Sequence, residues 1–186
     1  MMEEAARTIL DRHLPYELDM LERAFEFVTS DHPLCHHPAA PLLNNLAIEA
    51  FWTHARNVNE FMKRPRNKNA SGVAAARDFT EDVKEMRFSL GEELEDKINE
   101  QISHLQYERP ATEQDGQLMV YDMQRVYAGI NSCVREFERR LTPQAKEIWK
   151  PRKPKEFVQN ISPGSATNVV SAIGWTGPLG PRDDAK

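Results

Sequence analysis

His104 is the residue of this 186-residue chain best placed to move a proton. Imidazole is the side chain that ordinarily changes charge near neutrality, so it serves as acid or base without large perturbation. Lys97, Gln101 and His104 fall at i, i+4 and i+7 on one helical face, and Glu100 stands four residues before the imidazole. A carboxylate and a cation beside a histidine make a candidate acid–base group. The same spacing also suits a boundary histidine that hydrogen-bonds a neighbouring helix.

Two other clusters could carry chemistry. The stretch Trp52-Thr53-His54-Ala55-Arg56-Asn57 is dense in polar groups for a bundle helix. His54 sits in an apolar stripe, so its ring nitrogens are expected to pair with a polar residue of another helix. Glu49 and Arg56 lie two turns apart on the outer face, where they would engage the third helix or a second subunit. The loop His32-Pro33-Leu34-Cys35-His36-His37 gathers nitrogen and sulfur donors of the kind zinc prefers. Adjacent His36 and His37 point apart, however, and no second cluster lies nearby in sequence. No metal and no cofactor is expected. Phosphate-binding glycine loops, zincin pairs, nucleophile elbows and calcium loops are all missing from the sequence.

The elements that must position these residues read as helices. A first helix is expected from Pro15, with Leu18, Leu21, Phe25 and Val28 as its stripe and residues 3–13 as a separate turn or frayed extension. Ser30-Asp31-His32-Pro33 stops it. A second runs from Pro41 to about Lys63, with Leu43, Ala47, Ala50, His54, Val58 and Phe61 inward, and Leu46, Phe51 and Met62 widening that face. Arg64-Pro65-Arg66 then opens a long basic connection, with an extra turn or two expected from Thr80 to Met86. Ser89-Leu90-Gly91-Glu92 has the form of a capping box ahead of Leu94, Ile98 and Ile102, and Pro110 closes that third helix. The fourth carries Met119, Met123, Val126, Ile130, Cys133 and Phe137 in a sustained seam, with Cys133 read as a buried thiol. Thr142-Pro143 caps a short final helix holding Ile148 and Trp149. The expectation is an all-α antiparallel bundle of about four helices over residues 1–149, followed by a flexible, Pro- and Gly-rich tail over 150–186.

Within that tail, residues 168–175 form an uncharged apolar island, readable as a strip resting on the bundle or as a short partner-binding segment. Charge divides along the chain. From Lys146 onward seven Lys/Arg face four Asp/Glu, a balance of +3, which leaves −8 of the total −5 on residues 1–145. An acidic bundle disfavours nucleic acid as the main partner. No run is long and apolar enough for a membrane span, and two cysteines make no disulfide framework, so a soluble cytoplasmic protein is expected.

The segment Asp96-Lys97-Ile98-Asn99-Glu100-Gln101-Ile102-Ser103-His104-Leu105 resembles the late-helix motif of the HEPN superfamily, a polar helix ending in a histidine and an apolar residue. The likeness extends to the helical order over about residues 15–141. It implies an all-α fold, frequent homodimerisation and, in active members, metal-independent RNA cleavage in a cleft between subunits. Those members carry an arginine a few residues before the histidine, and this part of the chain has Lys97, Ile98 and Asn99 and no arginine. Lysine lacks the planar fork that clamps a phosphate. Two functions follow as expectations. One is a non-catalytic module that forms a homodimer or binds a protein partner. The other is a HEPN-like endoribonuclease in which His104 moves the proton, Lys97 or Arg109 offsets phosphate charge and Asn99 holds the motif's polar position.

Overall fold

The computed structural model describes residues 4–64, 73–81 and 120–150. Among them the architecture is helical: α1 (Glu4–Thr8), α2 (Leu14–Thr29), α3 (Ala40–Lys63), α4 (Val120–Arg140) and α5 (Pro143–Ile148). The all-α expectation holds in these residues; the lead-in to α2 and the buried face of α3 differ from it.

Residues 4–13 are not a detached turn. A π-helical turn, Ile9–His13, joins α1 to α2, and the Leu14 N–H bonds to the Ile9 carbonyl five residues back. Pro15 explains it. Proline has no N–H to give the Asp11 carbonyl, and its ring would strike that carbonyl in a regular helix. The wider turn moves the obstacle aside and the helix continues. Leu10 and Leu14 are thereby carried into the core. Pro15 stands in the first turn of α2, as expected, and a π-helical turn rather than a break precedes it.

The stripe of α3 is rotated relative to the sequence expectation. Phe51, Trp52, Ala55, Val58 and Met62 are buried, whereas Leu43, Ala47, Ala50, His54 and Phe61 are only half-buried and Leu46 is exposed. Phe51 and Trp52 together draw the helix round, because large aromatic surfaces gain most from leaving water. The seam of α4 is as expected: Met123, Val126, Ile130, Cys133 and Phe137 are all buried.

Helix directions follow from side-chain pairs. Glu17 of α2 meets His54 of α3, and Phe25 meets Phe51, so α2 and α3 run antiparallel. Phe25 also stacks on Tyr127 at 4.3 Å, and Phe61 meets Phe137, which aligns α4 parallel to α3. The chain leaves at Glu81 beside the C-terminal end of α4 and re-enters at Val120, the opposite end of that helix. The expected third helix, with the capping box at Ser89, lies outside the described residues, as does the tail beyond Lys150.

Residues 73–81 pack rather than merely connect. Ala75, Ala76, Phe79 and Thr80 are buried, and the Asp78 carboxylate accepts the Ala75 N–H at 2.9 Å. Thr80 forms a single antiparallel bridge with Leu141 instead of opening a helical turn. The bridge has a purpose: Glu81 N–H reaches the Arg140 carbonyl at 3.0 Å and Thr142 N–H reaches Phe79 at 2.9 Å. A carbonyl left over at the end of α4 thereby finds a donor. Thr142 then caps α5, its hydroxyl accepting from Ala145 N–H. Phe61, Phe79, Phe137 and Trp149 close this end of the core, and the Trp149 indole N–H is satisfied by Glu138 at 2.9 Å.

Candidate functional site

Antiparallel pairing of α2 with α3 brings a carboxylate against an imidazole. His54 Nδ1 lies 2.7 Å from Glu17 Oε2, with side chains 12% and 25% exposed. Asn57 Nδ2 donates to the same oxygen at 3.0 Å, and the Tyr16 ring meets the imidazole edge-on at 5.7 Å. The expected pairing of His54 with another helix is therefore present. Because His54 and Asn57 are one turn apart, one carboxylate of α2 holds two residues of α3. Nδ1 is committed to that carboxylate. The arrangement orients an imidazole, and it also fixes the register of two helices.

Glu49 and Arg56 do not join it. Seven residues is close to two turns, so they share a face, while His54 lies about 140° from Glu49 around the helix at 3.6 residues per turn. Both Glu49 and Arg56 are exposed, as expected of the outer face. On that same face stand Leu42 and Leu46, one turn apart and 61% and 52% exposed. With Glu49, Thr53 and Arg56 they form a stripe at alternating four- and three-residue steps, almost opposite the Phe51–Met62 seam. An apolar pair pointing away from the core of its own helix is the least expected feature of the surface.

The histidine loop is occupied with its own turns. His32 Nδ1 accepts the Leu34 N–H at 3.2 Å and His37 Nδ1 accepts the Ala39 N–H at 3.1 Å. His36 Nε2 lies 3.4 Å from Asp31 Oδ1. Among the described residues no three His, Cys, Asp or Glu side chains converge as a metal site. Burial pushes the Cys133 thiol up to about 11; Glu136 adds to this and Arg140 opposes it. That keeps it protonated and unreactive in the folded chain near neutrality.

Some participants escaped sequence reasoning. Glu17 gave no periodic signal, since a single acidic residue on a helix flank looks like any solvated one. Glu22, Asn59, Thr80 and Asp122 are buried polar residues engaged with neighbouring groups, and Glu22, Asn59 and Asp122 do not visibly break the apolar patterns of their helices. Leu42 and Leu46 left a legible trace. The first half of α3 carries Leu42, Leu43, Leu46, Ala47, Ile48 and Ala50, more apolar surface than one helical face can hold. The remaining candidate residues, His104, Lys97, Asn99 and Arg109, lie outside the described residues. No protein-family model matches the chain, and neither does any curated protein or solved structure.

Proposed function

We propose that this chain is a non-catalytic helical module that self-associates through the outer face of α3. The observation that carries the reading is the exposure of Leu42 and Leu46 at 61% and 52% on a helix whose opposite side is fully packed. Two leucines one turn apart are self-complementary. When two copies approach antiparallel, Leu42 of one meets Leu46 of the other about a two-fold axis. Glu49 and Arg56 continue the stripe as a polar rim, the usual surround of an apolar interface centre.

Such a contact is small. A contact centred on two leucines per copy belongs with the small interfaces, so association is reversible and concentration-dependent. The resemblance around His104 points the same way, because HEPN-like proteins frequently pair. No helix among the described residues is long and apolar enough to cross a membrane, which fits an association in the cytoplasm, where free thiols such as Cys133 persist.

Light scattering across a concentration series tests the reading. The weight-average mass rises above the 21.4 kDa of one chain as concentration increases. A mass fixed at one chain throughout the series would end it.

A further inference from the structure

The outer face of α3 has a second claimant, and it belongs to the same chain. We propose that residues 168–175 dock in cis on the Leu42/Leu46 face and compete there with a second copy, a regulation that rests on the reading of this face as the association surface.

Three observations converge. The first is the face itself, two exposed leucines on the side of α3 turned from its core. The second is what the chain carries beyond its last described residue. Residues 168–175 are an uncharged, proline-free apolar run with Val169, Val170, Ile173 and Trp175, longer than the other such stretch beyond Lys150, residues 157–162. Aromatic and aliphatic anchors in a short segment are what an exposed apolar stripe can bind.

The third observation is distance. Lys150 is held near the π turn, its Nζ 3.9 Å from Asp11 Oδ1, and α5 packs against that same turn. Glu17 and His54 fix the level of α2 against α3. Counting from Asp11 to Glu17 and from His54 back to Leu46 gives about 20 Å along the helix axes at 1.5 Å per residue. The connecting segment, residues 151–167, is 17 residues long and reaches at most about 55 Å at roughly 3.3 Å per residue, more than enough to cross that gap. A short tether long enough to cross the gap makes docking an intramolecular event, with an effective concentration of order millimolar. At micromolar protein, a copy in solution cannot match that advantage. Charge assists: Arg152, Lys153 and Lys155 lie on this tether, and residues 1–145 carry −8.

Hydrogen–deuterium exchange on the full chain tests the proposal, because every residue in 168–175 has an exchangeable amide. At a concentration where the chain is monomeric, exchange in 168–175 is slowed about tenfold relative to an unstructured peptide. In Leu42→Asp/Leu46→Asp the protection disappears. Ile173→Asp/Trp175→Asp, which frees the face, lowers the concentration for self-association about tenfold, as expected when a competing state is removed. Unprotected amides in the wild type, or protection that survives Leu42→Asp/Leu46→Asp, overturn the proposal. Protection that appears only as the mass rises also overturns it, in favour of exchange between copies. If the protection behaves as described but no variant associates, docking stands and the self-association reading falls.

Discussion

The two halves of α3 share one helix and one length of regular backbone, yet they are used differently. From Phe51 to Met62 the helix is wedged between α2 and α4, with Phe51, Trp52, Ala55, Val58 and Met62 buried. From Ala40 to Ala50 only Ala40 is buried, and Leu42 and Leu46 face solvent. Phe51 is level with Tyr127 through their shared partner Phe25, so Val120 comes level with the first turns of α3. The described core therefore thickens toward the Trp149 end. The comparison teaches that apolar content measures what a helix offers, whereas burial measures what its neighbours cover. Where the two disagree, a binding surface is the economical explanation.

Substitutions should separate the halves sharply. The largest effect is expected from Ile130→Asp, which places an unpaired carboxylate at a fully buried position of the α4 seam. That change unfolds the chain, visible as loss of the cooperative thermal transition by circular dichroism. Trp52→Ala, in the packed half of α3, costs about 3–5 kcal/mol of unfolding free energy in urea titration. An effect below about 1 kcal/mol would mean that the buried half is not what holds the helix.

Cys133 reports on the same core through pH. Its folded thiol titrates at about 11 rather than the ordinary 9.0 because burial disfavours the thiolate. A raised folded value means the stability it supports is fully present below pH 9 and is lost as pH climbs toward 11. The slope is about 1.4 kcal/mol per pH unit between those limits. Urea titrations of wild type and Cys133→Ala at pH 8 through 11 check it, and the difference between the two should shrink as pH rises. A constant difference contradicts the buried thiol.

Smaller still is the clamp at the junction of the two halves. His54→Ala removes one of the two side chains held by Glu17 and is expected to cost about 1 kcal/mol, with the partial exposure of the pair limiting the loss. Glu17→Gln should cost a similar amount, and the double variant little more than either, as befits residues that share one interaction.

Much of this was legible beforehand. The α4 seam could be read because its residues repeat at steps of four and three along the helix, and Met123 through Phe137 proved buried, Met119 lying outside the described residues. The ends of α3 were legible from Pro41 and from the Arg64-Pro65 break. The rotation of α3 was not, because Leu43, Ala47, Ala50 and Phe61 make as regular a stripe as Phe51, Ala55, Val58 and Met62 do. Only the neighbours choose between them. The burial of residues 73–81 was equally hidden, since a bridge to Leu141 depends on partners some sixty residues away. His54 was legible as a histidine in need of a partner, but Glu17 as that partner required knowing how α2 lies against α3.

Leu42→Asp/Leu46→Asp tests the central claim most directly, with mass and stability measured on the same sample. Both side chains are exposed, so the thermal midpoint and urea stability should stay within about 0.5 kcal/mol of wild type. Sedimentation equilibrium should meanwhile return 21.4 kDa at every concentration where the wild-type mass has risen. A double variant that associates like the wild type, or one that loses several kcal/mol of stability, would show that the outer face of α3 is not a dedicated association surface.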